Sequence, residues 1–253
     1  MSLSFRQSDI LNIARQDGRV MVEDLAARFN VTVQTIRRDL SELSDMGKLD
    51  RVHGGAVLRS GVSNIGYEDR RAMNAESKAL IAQHCAQDIP DGASIFLNIG
   101  TSTESVARQL LGHKDLMVVT NNMNVANILV ENPNCQIVVA GGVLRRSDGG
   151  LVGNLTVATI EQFKFDFAII GCSALDTAGD LLDFDFQEVR VSQTIIAQAR
   201  KTCLVADQTK FQRTAPARIA SLSEVDMFYT DQPLPAGLAV KCTEWQTQVK
   251  LCS

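Results

Sequence analysis

Residues 32–40, near the start of the chain, place apolar residues on one side of a helix and polar or basic residues on the other. Ile36 and Leu40 are four positions apart and Leu43 follows three later, which is the spacing of one helical face. The remaining surface carries hydroxyl, amide and guanidinium groups, which are the groups that contact base edges and phosphates. These residues are Thr32, Gln34, Thr35, Arg37 and Arg38. Taken alone, such a helix is either a DNA-recognition element or an ordinary surface helix.

A second short amphipathic segment comes directly before this helix. Residues 22–29 have helical spacing, and Asn30 and Val31 leave room only for a tight turn. Two short helices joined in this way, with the basic face on the second, form a helix-turn-helix, which we place at residues 20–39. Met21 stands where Ser or Thr usually caps such a helix, a departure that costs about 1 kcal/mol of helix stability and leaves the DNA-facing surface unchanged.

The segment after Gly47 predicts a two-stranded flap. Residues 48–58 contain two short apolar runs that turn at Gly54 and Gly55. A flap directly after a recognition helix is a wing, so we expect Arg51 and His53 beside the phosphate backbone or in the neighbouring minor groove. Residues 1–58 therefore predict a winged helix-turn-helix domain whose partner is double-stranded DNA.

Two segments of this domain resemble a known family. Residues 31–40 (Val-Thr-Val-Gln-Thr-Ile-Arg-Arg-Asp-Leu) and 49–56 (Leu-Asp-Arg-Val-His-Gly-Gly-Ala) are similar to the N-terminal signature of the DeoR family of bacterial transcriptional regulators. The resemblance covers nearly all of the first 57 residues. It implies operator DNA as the partner.

The charge of the chain limits how the domain can hold DNA. The net charge is −4, and residues 1–60 carry nine Lys and Arg against eight Asp and Glu. We therefore expect a local basic face and a dimer that reads two half-sites, rather than a strongly positive domain. The basic face consists of Arg37, Arg38, Lys48, Arg51 and Arg59.

Composition sets the broad class of the protein. With 253 residues, 45% hydrophobic and 21% charged, the chain has room for a small and a larger globular domain. Six cysteines without a Cys-x-x-Cys pair and three dispersed histidines predict neither a disulfide framework nor a metal site, and we expect no cofactor. The absence of a signal core or a long apolar run predicts a cytoplasmic protein without a membrane partner.

Residues 59–74 are polar and contain glycine, which predicts a linker, and a second domain is expected at 75–253. Strand-length apolar runs alternate there with segments of helical spacing, which predicts a mostly parallel sheet of the α/β class. The strands are expected at 94–98, 116–120, 135–140, 167–171, 203–206 and 227–229, and the helices near 75–88, 103–111, 123–131, 155–163 and 186–200. Ligands of such sheets bind beyond the carboxyl ends of the strands.

The loop after the first strand of this domain is a candidate anion site. Gly100 permits a sharp turn, and Thr101, Ser102 and Thr103 bring hydroxyl and N–H groups to a helix N-terminus. A plain helix cap explains the same residues equally well. Later strand ends add polar groups at 120–122, 141–145, 171–176 and 207–211. Arg145 and Lys210 are natural counter-charges for an anion there, although each alone is more simply a solvated surface charge.

These strand ends extend the resemblance to nearly the whole chain. Residues 96–102, 119–127, 139–145 and 205–211 are similar to the DeoR-type effector domain. The resemblance implies a fold like ribose-5-phosphate isomerase and the CoA transferases, and a homo-oligomeric repressor, dimer or tetramer, that senses a phosphorylated sugar or polyol. Residues 147–153, 183–190 and 250–252 are most similar to the branch that senses glycerol 3-phosphate. The ligand-binding positions implied are Asn98, Gly100, Thr101, Ser102, Thr103, Asn121, Asn122, Gly141, Gly142, Arg145 and Lys210. Asn98 replaces an acidic residue of the family pattern.

The competing interpretation is a sugar-phosphate isomerase with a DNA-binding appendage. Isomerisation needs a general base and a group that stabilises the enediolate. Candidate carboxylates are Asp176, Asp180, Asp183 and Glu188. Residues 177–182 lack the lysine-glycine loop of the isomerases, and we interpret Glu188 and Arg190 as surface or interdomain ion-pair residues. The sequence therefore favours a regulator over an enzyme.

Overall fold

The first part of the chain folds as a winged helix-turn-helix in the computed structural model, which describes residues 3–17, 19–52, 54–58 and 66–252. Its helices and strands are α1 (Phe5–Asp17), β1 (Arg19–Met21), α2 (Val22–Phe29), α3 (Val33–Asp45), β2 (Leu49–Val52) and β3 (Gly55–Leu58). Ile10, Leu25, Ile36, Leu40 and Leu43 are buried together between the three helices. The apolar stripe in the sequence of α3 is therefore the face that packs, and the predicted winged helix-turn-helix is confirmed.

The turn between α2 and α3 also follows the prediction. Met21 caps α2 without a side-chain hydrogen bond, and Asn30 ends it in the left-handed conformation at φ 50°. Thr32 caps α3 by accepting a hydrogen bond from the N–H of Thr35. The wing is larger than predicted, because β1 pairs with β3 to give a three-stranded sheet in the order β1-β3-β2. Three residues between two helices are too few to show a strand pattern.

Residues 67–72, predicted as part of an irregular linker, form a helix, α4 (Tyr67–Ala72). Residues 59–65 lie outside the described part of the chain. The sequence of α4 is largely polar and has no apolar stripe. Side-chain contacts with the C-terminal domain, described below, stabilise it instead. Such contacts are invisible to a periodicity argument.

The C-terminal domain alternates helices with strands. The helices are α5 (Ala75–Gln87), α6 (Thr101–Gln109), α7 (Met123–Leu129), α8 (Asn154–Ile160), α9 (Phe186–Gln198) and α10 (Ala236–Glu244). The strands are β4 (Ser94–Leu97), β5 (Leu116–Thr120), β6 (Cys135–Val139), β7 (Val143–Arg145), β8 (Gly150–Val152), β9 (Phe165–Ile170), β10 (Ala174–Leu175), β11 (Asp180–Asp183), β12 (Ala199–Val205), β13 (Ala217–Ser221), β14 (Met227–Thr230) and β15 (Gln248–Leu251).

Seven of these strands form one sheet in the order β15-β14-β12-β9-β4-β5-β6, and every pairing in it is parallel. Two hydrophobic clusters contribute to the core, one containing Phe96, Phe165 and Phe228 and the other Ile95, Leu97 and Tyr229. Adjacent residues of β4 alternate between the clusters because successive strand side chains point to opposite faces. The predicted parallel α/β class is confirmed.

Two small sheets were not predicted. The strands β7 and β8 form an antiparallel hairpin, and β10, β11 and β13 form a second antiparallel sheet. Most of these strands have two to four residues, which is too short for an alternation pattern to stand out. Along the chain, both small sheets follow strands of the main sheet. They lie beside the carboxyl ends of those strands and shape the site there. No helix in the described part of the chain is long and apolar enough to span a membrane.

Candidate functional site

The predicted DNA-contacting residues share one exposed face of α3. Thr32, Gln34, Arg37 and Arg38 are exposed and Thr35 is half-buried. The wing residue Arg51 is also exposed, and its Nη1 donates a hydrogen bond to the carbonyl of Arg37 at 3.2 Å. This bond brings the wing guanidinium beside α3. His53, the remaining predicted contact, lies outside the described residues.

The carboxylates of α3 are held by neighbouring side chains. Asp39 is buried, and its Oδ2 lies 2.5 Å from Nε of Arg6 on α1. Glu42 accepts hydrogen bonds from Gln7 Nε2 at 2.7 Å and from Arg38 Nε at 3.1 Å. The pairing with Arg6 offsets the charge of Asp39 and fixes α3 against α1. Repulsion between α3 and a phosphate backbone is thereby reduced.

A second site is a narrow cleft, with about 20 Å³ of free space, at the carboxyl ends of β4 and β9. The loops after these strands, the 3-10 turn Gln208–Gln212 after β12, and the helix α4 all contribute to it. Its lining residues are Arg70, Ile99, Gly100, Thr101, Ser102, Gly171, Cys172, Ser173, Asp183, Glu188 and Lys210. This space is about that of one water molecule, so a metabolite fits only when the lining side chains move apart.

One end of the cleft is positively charged. Gly100 directly precedes α6 and has a φ of 151°, a backbone conformation that residues with a Cβ rarely adopt, and no side chain caps the helix. The first N–H groups of α6 and its dipole therefore favour an anion. Within the described part of the chain, the ammonium of Lys210 makes no hydrogen bond or salt bridge, although it interacts electrostatically with Asp207 and Arg213. It is available to a ligand.

Further cationic side chains lie behind the positively charged end of the cleft. Lys78 is buried, and its burial together with the neighbouring Lys210 lowers its pKa to about 7. Arg213 is 8% exposed, and its Nε and Nη1 have no hydrogen-bond partner among the described residues. Burial raises the pKa of Asp207, but Lys210 and other nearby groups lower it overall. We call Arg70, Lys78, Lys210 and Arg213 the cation cluster. Asp207 interacts with three of these four residues, so the cluster keeps an excess of positive charge.

The other end of the cleft continues into an acidic pocket, its acidic extension, with which it shares Arg70, Asp183 and Glu188. Arg145 lies among three carboxylates, with Nη2 2.7 Å from Asp148 and 2.6 Å from Glu188, and Nη1 2.8 Å from Asp185. Burial, with the nearby Asp183, raises the pKa of Glu188 to about 8 against the opposing effect of Arg145. A guanidinium shared between three acids does not keep all of them ionised. This end offers acceptors and an acidic proton, which are suited to hydroxyl groups.

The two parts of the chain match the two parts of one family. A model described as the DeoR-like helix-turn-helix domain matches residues 6–61, and one described as the DeoR C terminal sensor domain matches residues 73–232. The chain belongs to the DeoR family. It is a DNA-binding transcriptional regulator, and its sensor domain contains the cleft.

Named relatives align with this DeoR-family regulator over its whole length. The glycerol-3-phosphate regulon repressor of Escherichia coli (strain K12) is 43% identical over 252 residues and covers 100% of both chains. The protein of the same name from Haemophilus influenzae is 44% identical over 100% of this chain and 98% of its own. These relatives are regulators, so the interpretation as a regulator rather than an enzyme is confirmed. A solved D-ribose-5-phosphate isomerase in complex with phospho-erythronic acid is 17% identical over 54% of each chain, with a TM-score of 0.41.

The structure of the DeoR-family regulator brings part of the predicted ligand site together. Gly100, Thr101, Ser102 and Lys210 line the cleft. Arg145 lines its acidic extension, but its guanidinium is engaged by three carboxylates, so it is not the free counter-charge that the sequence suggested. Arg70, which the sequence did not single out, lines the cleft instead.

Other predicted residues support the loops beneath the cleft. Asn98 is buried, donates to Ser192 Oγ at 2.8 Å and accepts from the N–H of Ile99. The Thr103 hydroxyl donates within the same loop, to the carbonyl of Asn98 or Gly100. These hydrogen bonds use the polar atoms that the sequence assigned to a ligand. Among the described lining residues of the cleft, neither Asn98 nor Thr103 appears.

The predicted residues after β5 and β6 also have structural partners. Asn121 donates to the carbonyl of Leu151, and Asn122 caps α7 and donates to Glu104. A Cβ on Gly142 would lie 2.1 Å from the Thr156 hydroxyl, which requires glycine where this loop meets α8. Gly141 accepts a hydrogen bond from the same hydroxyl. We interpret these four residues as shaping the loops rather than contacting a ligand.

Of the two alternatives for Glu188, the surface position is wrong, whereas an ion pair is present, with Arg145 of the same domain. Glu188 lies in the first turn of α9, is buried and binds Arg145, because the hairpin of β7 and β8 brings that guanidinium across the cleft. Arg190 is exposed and donates to Asn154 at 3.2 Å, as expected of a surface residue. A signal for Lys78 was present: it shares the apolar face of α5 with Ile81 and Cys85. A lysine on a buried helical face indicates a special partner.

Proposed function

We propose that this protein represses transcription of a catabolic operon and that glycerol 3-phosphate releases it from its operator. Two observations support the proposal. The cleft carries a positive excess at one end and carboxyl groups at the other, as a phosphorylated polyol requires. Relatives of 43% and 44% identity over the whole chain are named glycerol-3-phosphate regulon repressors.

In this proposal each end of the cleft has one task. The phosphate binds at the N-terminus of α6, with Thr101, Ser102 and Lys210 around it, because a helix N-terminus favours an anion, as does an ammonium that has no hydrogen bond among the described residues. The glycerol hydroxyls bind near Ser173 and Glu188 at the acidic end. The effector is the only small molecule required, and no cofactor takes part.

We also propose a homo-oligomer, dimer or tetramer, that acts in the cytoplasm on double-stranded operator DNA. Residues 1–60 carry only one more basic than acidic residue, so a single domain binds non-specific DNA weakly. Two recognition helices presented about 34–36 Å apart read two half-sites and recover the affinity. The operator contacts come from Thr32, Gln34, Thr35, Arg37, Arg38 and the wing residues Arg51 and His53.

Fluorescence anisotropy of a labelled operator fragment tests the proposal. The ligand panel is glycerol 3-phosphate, ribose 5-phosphate, inorganic phosphate and glycerol. We expect glycerol 3-phosphate to weaken operator binding by roughly 5- to 150-fold, with glycerol ineffective because it lacks the anion. Release by another sugar phosphate alone would contradict the effector assignment, and operator binding indifferent to every ligand would contradict regulation by this cleft.

A further inference from the structure

The helix α4 connects the two functional parts of the chain. It begins nine residues after Leu58, the last residue of the wing, and packs over the positively charged end of the cleft. Arg70 of α4 lines both the cleft and its acidic extension. The segment that leaves the DNA-binding domain therefore supplies part of the wall of the ligand site.

The backbone of α4 is held by groups of the anion-binding end. The carbonyl of Arg70 accepts hydrogen bonds from the Lys78 ammonium and from the Thr101 hydroxyl, the latter at 3.4 Å. Lys78 belongs to the cation cluster, and Thr101 is the first residue of α6. Thr101 lines the cleft, so an anion there competes with that carbonyl for the Thr101 hydroxyl, which links ligand binding to the anchoring of α4.

Tyr67 anchors the other end of α4. Its hydroxyl donates to Glu104 Oε2 at 2.8 Å and accepts from Asn124 Nδ2 at 3.0 Å. Burial and the hydrogen bond to Glu104 raise the pKa of Tyr67 to about 12, so the phenol stays protonated. Glu104 lies in the first turn of α6 and is buried. Both ends of α4 are thus attached to the helix whose N-terminus faces the ligand.

The side chain of Arg70 has a partner that it can exchange. Its Nη2 lies 3.3 Å from Asp148 Oδ2, while Nη2 of Arg145 lies 2.7 Å from the same oxygen. Asp148 therefore keeps a closer cation when Arg70 moves. A phosphate at Gly100 to Ser102 offers the guanidinium a bidentate, charge-assisted contact, which is stronger than the 3.3 Å contact with Asp148.

We propose that Arg70 is an effector-binding residue supplied by the linker, and that α4 transmits occupancy of the cleft to the DNA-binding domain. Anion binding exchanges the Arg70–Asp148 contact for an Arg70–phosphate contact and draws the Thr101 hydroxyl away from the α4 backbone. The anchoring of α4 therefore changes, which changes how the winged domain is presented to DNA. This inference rests on the proposed function in assuming a phosphorylated effector.

The test uses the full-length protein and three variants. R70Q removes the guanidinium from the cleft, Y67F removes only the hydroxyl that anchors α4, and R71Q is a matched control because Arg71 is the exposed neighbour on the same helix. Calorimetry measures binding of glycerol 3-phosphate to each protein without DNA. Anisotropy measures the operator Kd with and without saturating ligand, and the ratio of the two is the coupling factor.

We expect R70Q to bind glycerol 3-phosphate at least about tenfold more weakly than R71Q, which is the effect of losing a hydrogen bond to a charged group. Y67F is expected to keep its ligand affinity within about threefold while its coupling factor falls toward 1, because the ligand still binds but α4 is no longer anchored. A merely structural role of Tyr67 would change ligand affinity and coupling together. Equal ligand affinity of R70Q and R71Q, or an undiminished coupling factor in Y67F, would overturn the inference.

Inorganic phosphate separates this inference from the proposed effector. Its stabilisation of the protein against thermal unfolding reports anion binding whatever the rest of the effector is. Stabilisation of R71Q but not of R70Q, with no response to glycerol 3-phosphate, would support Arg70 as the anion contact and reject the proposed effector. Binding of neither probe by the wild type would reject both. Normal operator release by glycerol 3-phosphate in R70Q would reject the inference alone.

Discussion

At the scale of single residues, Glu188 is one of the groups that make the stability of the sensor domain depend on pH. Its pKa is raised from 4.5 to about 8 by burial and by Asp183. Because the folded protein holds this proton more tightly than the unfolded chain, the associated stability is fully present below about pH 4.5. It is lost progressively as the pH rises through about 8. Burial without enough positive charge is the physical cause.

Replacing Glu188 with Gln removes this pH dependence. The amide stays neutral, so we expect the melting temperature of the variant to rise relative to that of the wild type as the pH increases from about 5 to about 9. Calorimetric unfolding across this range measures the difference, with E161Q, at an exposed position, as the control. A difference between variant and wild type that does not change with pH would show that Glu188 is ionised throughout.

Lys210 provides a second prediction at this scale. We expect K210Q to weaken glycerol 3-phosphate binding by roughly 10- to 150-fold, since a hydrogen bond to a charged group contributes about 1.5–3 kcal/mol. Isothermal titration calorimetry measures the loss. K201Q is the control, because Lys201 carries the same charge on the exposed part of β12. Equal losses in the two variants would place the anion elsewhere.

Arg38 tests the DNA-binding face. Its side chain is 82% exposed and bonded to Glu42, so its removal leaves the fold of α3 intact. We expect R38A to weaken operator binding, measured by anisotropy on a set of operator variants. A loss of preference at one position, by about 1–3 kcal/mol, identifies a base contact, and a uniform loss with a smaller salt slope identifies a phosphate contact. Unchanged binding would remove Arg38 from the interface.

At the scale of elements, the position of α3 depends on its pairing with α1. R6A leaves the buried Asp39 without the guanidinium 2.5 Å away, and we expect a loss of about 1–3 kcal/mol in the stability of the winged domain. Operator binding should weaken for all operator sequences alike, because displacement of α3 disturbs the whole DNA-facing surface. Thermal unfolding and anisotropy measure the two effects. R28A, at an exposed position of α2, should change neither the melting temperature nor the preference among operator sequences.

The elements differ in how far their sequences predict them. The stripe of Ile36, Leu40 and Leu43 predicts α3 because the residues that pack are adjacent along one helix. The pairing of β1 with β3 and the folding of α4 depend instead on contacts with distant segments. Tyr67, for example, is held by Glu104 and Asn124. A local pattern contains no information on such partners.

At the scale of the whole molecule, the difference between local sequence patterns and contacts with distant segments also applies to the cleft. Gly100 to Ser102 and Lys210 follow strand ends, and parallel strands bring their carboxyl ends to one edge, so their meeting was predictable. Arg70 reaches the cleft only because the linker passes over it, and Glu188 faces Arg145 only because a hairpin folds across. The path of the chain, rather than any motif, supplies these residues.

The most direct test of the account uses the reciprocity between its two sites. If the effector in the cleft lowers operator affinity by a given factor, operator DNA must lower effector affinity by the same factor. Titration calorimetry of glycerol 3-phosphate into the protein, alone and saturated with operator, measures the second factor, and anisotropy supplies the first. We predict equal factors in the range of roughly 5 to 150. An effector affinity that is the same with and without operator would contradict the claim that this cleft controls DNA binding.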